Sequence, residues 1–215
     1  MKTLTKDMQA TITPSKALEL LKAGNQRFVN NLKINRNLLQ QANETSDGQH
    51  PFAVILSCID SRTSVELIFD QGLGDVFSVR IAGNIINEDI LGSMEFGCQV
   101  AGAKIILVLG HTNCGAIKGA CDHVEMGHLT ALLSKIQPAV YDEKNELANR
   151  SSTNDEFVQN VAEINVKRTV HAIVERSPIL KDLIESGACG IAGGMHDIAS
   201  GAVIFLEDTY SANIR

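Results

Sequence analysis

Short apolar runs recur along the middle of the chain. The segments FAVILS at 52–57, VFSVR at 76–80 and KIILVLG at 104–110 are predicted to be strands. The first and third are apolar without interruption, as is typical of strands that are covered on both faces of a sheet. This pattern favours a buried, mostly parallel sheet over a sheet with one face exposed to solvent.

Apolar residues at helical spacing predict helices around these strands. At the N-terminus, Pro14 and Ser15 supply start signals for a helical arm over residues 14–31. The polar stretch 43–49 predicts a loop. Further helices are predicted over 64–70, 87–101, 114–121 and, with breaks at Pro138 and Pro178, over a mainly helical region at 128–186.

Two apolar pieces within 188–207 flank a turn that contains Gly and Ser, which predicts a C-terminal hairpin or edge strand. Strands that alternate with helices predict an α/β fold, in which helices cover both faces of a mostly parallel central sheet. No repeat, low-complexity tract or linker divides the sequence. We therefore expect one domain over 1–215, built around a core at about 50–125.

Composition narrows the class of protein. The chain has 215 residues, a formal net charge of −6 and five cysteines. This charge does not favour a nucleic-acid or anionic-membrane partner. No apolar run approaches the roughly 20 residues that span a bilayer, and the N-terminus lacks the apolar core of an export signal. An odd number of cysteines without such a signal predicts reduced thiols in the cytoplasm.

Two short motifs follow the ends of predicted strands. Cys58-Ile-Asp60-Ser-Arg62 comes after FAVILS, and His111-Thr-Asn-Cys114 comes after KIILVLG. Ligands of open α/β sheets collect at the carboxyl ends of the strands, so we expect the two motifs to meet in one crevice.

The residue types in these motifs suit Zn²⁺. Two thiolates and an imidazole, from Cys58, Cys114 and His111, leave a fourth position free for water, as in a catalytic zinc site. Asp60 is a possible fourth ligand in a closed state, and Arg62 is placed to compete for it. The other cysteines and histidines lack such a partner and are expected to be packing or surface residues: Cys98, Cys121, Cys189, His50, His123, His128, His171 and His196.

Taken together, the motifs CIDSR and GHTNCG, with SVRIAGN at 78–84, resemble those of the β-class carbonic anhydrases. The resemblance covers residues 14–208. It implies one Zn²⁺ per chain, bound by Cys58, His111 and Cys114, and a catalytic pair made of Asp60 and Arg62.

By the same resemblance, Gln49 would hydrogen-bond the substrate, and Phe77, Ala82 and Phe96 would form its apolar pocket. Gln49 and Phe96 would reach that pocket from a neighbouring subunit, which implies a homodimer or a dimer-based tetramer. A regulatory bicarbonate site of some bacterial members is expected to be absent, because Ile55 and His196 occupy two of its three positions, although the arginine is present as Arg80.

The implied activity is the zinc-dependent reversible hydration of carbon dioxide to bicarbonate and a proton, by attack of a zinc-bound hydroxide. Two thiolates cancel the charge of the metal, so we expect activity to rise towards alkaline pH. Hydrolysis of a CO₂ analogue, carbonyl sulfide or carbon disulfide, on the same zinc is the nearest alternative. A zinc-binding protein that senses redox state through Cys58 and Cys114 is a more distant one.

Overall fold

The computed structural model describes residues 3–211 and is built around one five-stranded sheet. The strands are β1 (Ala53–Ser57), β2 (Val76–Arg80), β3 (Ile105–His111), β4 (Gly190–His196) and β5 (Val203–Ser211). Their order in the sheet is β2-β1-β3-β4-β5, with parallel pairing throughout except between β4 and β5. The prediction of a mostly parallel sheet with a C-terminal hairpin is confirmed.

Ten α-helices surround the sheet in the described part of the chain. They are α1 (Lys6–Ala10), α2 (Pro14–Val29), α3 (Leu38–Glu44), α4 (Val65–Ile68), α5 (Glu88–Glu95), α6 (Gly115–Cys121), α7 (Gly127–Leu133), α8 (Gln137–Asp142), α9 (Asp155–Arg176) and α10 (Pro178–Glu185). A 3₁₀ turn at Ala82–Asn84 and a π-helical turn at Phe96–Val100 complete the elements. None of the described helices is both long and apolar enough to cross a bilayer.

Capping side chains and prolines fix several helix starts. The Thr13 hydroxyl accepts a hydrogen bond from the Lys16 amide, and Pro14 occupies the first turn of α2, where its missing amide proton costs nothing. Asn154 caps α9 in the same way, with its side-chain oxygen accepting from two backbone amides. Pro178 follows the capping Ser177 at the start of α10, so the break predicted at this proline is confirmed.

Three predicted boundaries differ from the structure. The helix expected over 87–101 changes at Phe96 into the π-helical turn, where Gly97 packs so close to β1 that a Cβ would lie 2.6 Å from the Val54 side chain. The loop expected from 43 begins two residues later, because α3 runs to Glu44. Residues 143–154 of the mainly helical region form a loop, in which buried Glu143 accepts hydrogen bonds from backbone amides and from Arg150.

The central strands are buried on both sides. Alternate residues of β1 and β3 face two separate cores, one covered by α5, α6, α8, α9 and α10 and the other by α2 and α4. Because the four parallel strands run the same way, Ser57, Arg80, His111 and His196 all lie at one edge of the sheet. This edge is where ligands of such sheets bind.

A buried ion pair fastens the N-terminal arm to this core. The Asp70 carboxylate accepts hydrogen bonds at 2.5 Å from Nε of Arg27 and from Nη1 of Arg36. Burial alone would raise the pKa of Asp70, but the two guanidinium groups outweigh it and lower that pKa. The carboxylate therefore stays charged and holds residues 27–36 against α4.

Candidate metal centre

Three side chains meet at the carboxyl edge of neighbouring strands. Cys58 directly follows β1, His111 is the last residue of β3, and Cys114 is the residue before the first turn of α6. All three are buried, and their ligand atoms lie within 4.8 Å of one another. The two sulfur atoms are 4.0 Å apart. Parallel pairing of β1 with β3 thus joins two motifs that are distant in sequence.

The His111 ring is oriented by a hydrogen bond to the backbone. Its Nδ1 lies 2.9 Å from the carbonyl oxygen of Thr112. A carbonyl oxygen only accepts, so Nδ1 carries the proton and Nε2 keeps its lone pair. Nε2 is buried without a hydrogen-bond partner among residues 3–211. A buried nitrogen left in this state, with its other nitrogen bonded to a carbonyl, is typical of a metal-binding histidine.

The two thiols hold their protons very differently. Hydrogen bonds from the Cys114 thiol and from the Gly83 amide, whose nitrogen is 3.4 Å from the sulfur, lower the pKa of Cys58 to about 4 against the opposing effect of burial. Contact with Cys58, together with burial, raises the pKa of Cys114. Without a cation, the pair therefore keeps one proton. A divalent ion between the sulfurs would stabilise the second thiolate, so the donor set fits zinc.

Asp60 is held beside this cluster by Arg62. Nε of Arg62 donates to Oδ1 of Asp60 at 2.9 Å, and Nη2 donates to Oδ2 at 2.7 Å. The Arg62 backbone amide adds a third hydrogen bond to Oδ1. These bonds from Arg62 lower the pKa of Asp60, which remains ionised at neutral pH. Both carboxylate oxygens are engaged by the planar fork of a permanently charged side chain.

Arg80 and Thr63 fix the loop that carries Cys58 and Asp60. The Arg80 guanidinium donates to the carbonyl oxygens of Cys58 and Asp60, at 3.0 and 2.6 Å. The Thr63 hydroxyl donates to the same two carbonyls. The sequence suggests a role for Arg80 only as one part of a regulatory anion site. In the structure Arg80 supports the loop that carries Cys58 and Asp60, and Ile55, at a second regulatory position, is completely buried.

A second support was missed by the sequence analysis. Asn165 on α9 is only 3% exposed, and its Nδ2 donates to the Gly83 carbonyl at 2.9 Å. Gly83 has a left-handed φ of 69°, and its amide donates to the Cys58 sulfur. The one available signal was a polar amide among the mainly apolar buried positions of α9, between Ala162 and Val166.

His196 also borders the centre. The end of β4 pairs it in register with His111, and only 3% of its surface is exposed. Burial, and then the neighbouring His111, lower the pKa of His196 to about 4, so its ring is neutral near pH 7. The sequence predicts a packing or surface residue at this position. His196 is a buried packing residue, and it packs beside a candidate metal ligand. The strand register that brings the two histidines together is not visible in the sequence.

The residues expected in the substrate pocket are only partly assembled in one chain. The rings of Phe77 and Phe96 meet edge to face, with centroids 6.3 Å apart, and line an open cavity of about 830 Å³. Ala82 begins the 3₁₀ turn that presents Gly83 to Cys58. Phe96 is 53% exposed. Gln49 is exposed on the loop before β1, and no hydrogen bond within residues 3–211 links it to the centre.

Most of the chain is similar to known proteins of one family. Residues 53–203 match the family model described as carbonic anhydrase. Carbonic anhydrase 2 of Mycobacterium tuberculosis is 34% identical over 206 residues, which cover 90% of this chain and 93% of that protein. The crystal structure of the β-carbonic anhydrase CafA of Aspergillus fumigatus aligns with a TM-score of 0.67 and 26% identity, over 90% of each chain.

A more distant structure shows the same fold. It is one of two tetrameric β-carbonic anhydrases from Sordaria macrospora, with a TM-score of 0.69 and 23% identity over 78% of this chain and 90% of that one. The range 53–203 that matches the family model contains both motifs and every strand up to the start of β5. The chain belongs to the β-class carbonic anhydrase family.

Proposed function

We propose that this protein catalyses the zinc-dependent reversible hydration of carbon dioxide to bicarbonate and a proton. One observation supports this most strongly: a buried donor set of two sulfurs and one imidazole nitrogen lies beside a carboxylate that a guanidinium already holds. One zinc per chain would be held by Cys58, His111 and Cys114. Three protein ligands are the number that catalytic rather than structural zinc sites use.

When bound, zinc would lower the pKa of a coordinated water towards neutrality and so supply the nucleophile. The protein's own part begins with keeping the fourth position open. Asp60 is the nearest candidate to occupy that position, and the Arg62 fork engages both of its oxygens. Because the pKa of Asp60 is lowered, the carboxylate can accept a hydrogen bond from the nucleophile throughout the neutral range.

The apolar side chains near the centre suit the proposed substrate. Carbon dioxide is small, neutral and apolar, and the side chains of Phe77, Phe96 and Ala82 would give it an apolar contact surface. Gln49 would orient the substrate oxygens with its amide. In one chain Phe96 is half-exposed and Gln49 is exposed, so we propose that both complete the pocket of a neighbouring subunit in a homodimer or a dimer-based tetramer. We propose a cytoplasmic location, since the odd number of cysteines favours reduced thiols.

The oligomer can be tested by light scattering combined with an activity assay. An active species of at least twice the 23.2 kDa chain mass is expected. A fully active monomer would contradict the assignment of Gln49 and Phe96 to a partner's pocket.

The nearest alternative is hydrolysis of carbonyl sulfide or carbon disulfide by the same zinc. These molecules share the linear, apolar shape of carbon dioxide, so access to the site decides between them. One zinc-loaded sample assayed with all three substrates separates the alternatives: we expect kcat/KM for carbon dioxide to exceed the other two values by about a hundredfold or more, or roughly 2.7 kcal/mol of transition-state stabilisation. A larger value for either sulfur compound would overturn the proposed substrate.

A redox sensor is the third candidate. Oxidisable zinc thiolates alone would serve such a sensor, which would need neither the paired Asp60 and Arg62 nor the aromatic cavity. Zinc-loaded protein without any activity on the three substrates, but with zinc released by mild oxidant, would favour it over both enzymes.

A further inference from the structure

A second pair of cysteines lies outside the metal centre. The sulfur atoms of Cys98 and Cys189 are 3.8 Å apart, although the two residues are 91 positions apart in the sequence. Cys98 is 5% exposed and Cys189 is 1% exposed. The sequence predicts each of them to be an isolated small packing residue. The structure shows them as a dithiol.

The pair occupies the opposite edge of the sheet from the metal ligands. Cys189 directly precedes β4, whose other end carries His196, and Cys98 lies in the π-helical turn that leads towards the start of β3. Neither thiol is hydrogen-bonded to Cys58 or Cys114 in the described residues. Chemistry at Cys98 and Cys189 can therefore occur without removing a zinc ligand.

We propose that Cys98 and Cys189 are a modification site, at which mild oxidation forms an intramolecular disulfide in the folded, metal-loaded protein. The sulfurs need to approach by about 1.8 Å to reach the bond length of about 2.05 Å. Both cysteines lie in short irregular segments that can supply this movement. Cys98 is in a single π-helical turn, and Cys189 follows a turn in which Gly187 has a left-handed φ of 75°.

Access of a small oxidant requires only local opening. Cys98 is followed by the exposed residues Gln99 and Val100, and Cys189 is preceded by exposed Ala188. Segments at the ends of helices open with less free energy than the central strands. Contact with the Cys189 thiol and burial raise the pKa of Cys98. The reaction is therefore slow at pH 7 and faster as pH rises, since the thiolate is the reacting form.

Hydrogen peroxide is the oxidant that the proposal requires. One thiolate attacks a peroxide oxygen, the O–O bond breaks, and a sulfenic acid and hydroxide are left. The second thiol then attacks the sulfenic sulfur, the S–S bond forms, and the hydroxyl group departs as water. Two thiols and one hydrogen peroxide thus give one disulfide and two waters. This step does not depend on the proposed carbon dioxide chemistry.

The test uses zinc-loaded protein titrated with hydrogen peroxide at pH 8.5, with zinc content followed in parallel. Remaining thiols are blocked with N-ethylmaleimide, and the digest is examined by mass spectrometry. We expect a linked Cys98–Cys189 peptide pair, 2 Da lighter than the sum of the free peptides, while zinc stays bound. Because the bond closes a long loop, Tm should rise by about 5 °C or more, and dithiothreitol should reverse this rise.

Matched variants make the result specific. Cys121→Ala removes a buried cysteine that has no other cysteine within hydrogen-bonding distance in residues 3–211, and it should still form the disulfide. Cys98→Ala and Cys189→Ala should each abolish the link and the reversible Tm rise. If zinc is released, or if either thiol is driven to sulfinic acid, before any Cys98–Cys189 link appears in the wild type, the proposal is wrong. Full alkylation of both thiols after oxidant treatment would also overturn it.

Discussion

Asn165→Ala is the substitution that tests most sharply how the fold supports the metal centre. Asn165 is buried on α9 and, within residues 3–211, forms no hydrogen bond to a proposed metal ligand, yet its amide donates to the Gly83 carbonyl at 2.9 Å. Gly83 in turn donates its own amide to the Cys58 sulfur. The variant removes the first of these hydrogen bonds and leaves a buried carbonyl without its partner.

The expected effect has two parts. An unsatisfied buried carbonyl costs about 1–3 kcal/mol of folding free energy. For a chain of this size, about 2 kcal/mol corresponds to a fall in Tm of about 4–8 °C. In addition, groups that orient metal ligands typically contribute about 10–100-fold to metal affinity. We expect the lower end, about tenfold, because Asn165 acts on Cys58 through Gly83 rather than directly.

The assay is a competition titration with a chromogenic zinc chelator, together with thermal unfolding of the zinc-free protein. Thr169→Ala is the matched control: Thr169 is buried one turn further along α9, and no hydrogen bond in the described residues joins it to Cys58 or Gly83. Its zinc affinity should equal that of the wild type. Equal zinc affinities in Asn165→Ala and Thr169→Ala would refute the proposed support, whatever the change in Tm.

Three further predictions concern Arg62, Cys114 and Asp70. Arg62→Ala should keep its zinc but lose most hydration activity, because the freed carboxylate can then ligate the metal. Arg62→Lys should restore part of that activity. Arg168→Ala, which removes an exposed arginine, should leave zinc content and hydration activity unchanged. Cys114→Ser should sharply reduce bound zinc, whereas Cys121→Ser should not; equal metal contents would exclude Cys114 as a ligand. Asp70→Asn should cost about 3–5 kcal/mol at pH 7 by leaving two arginines without their buried partner. Since the pKa of Asp70 is lowered on folding, the stabilising effect of its charge is present above about pH 4 and is lost at lower pH. The free energies of unfolding of the wild type and Asp70→Asn, measured with urea, should therefore converge in acid.

Much of the architecture was predictable because apolar runs report directly on burial. The uninterrupted run at 104–110 has the composition of a strand buried on both faces, and β3 is buried along its whole length. The strand prediction over 76–80 agrees with β2 at both ends. The positions of the two motifs after neighbouring strands were then enough to predict one crevice, because parallel strands end at the same edge.

The features that were missed depend on distances between segments, which local patterns do not encode. Nothing in the sequence places Asn165 against Gly83, since the contact depends on how α9 crosses the sheet. The meeting of Cys98 with Cys189 likewise depends on the pairing of β3 with β4. The π-helical turn at Phe96–Val100 arises from the close approach of Gly97 to β1, which a helical pattern over 87–101 cannot reveal.

The most direct test of the central claim is a stopped-flow measurement of carbon dioxide hydration on protein whose zinc content is known. We expect one zinc per chain at full loading, an initial rate proportional to zinc content across partly loaded samples, and a rate that rises as pH increases above 7. A hydration rate no faster than that of the buffer, in protein with one zinc per chain at pH 8.5, would contradict the account.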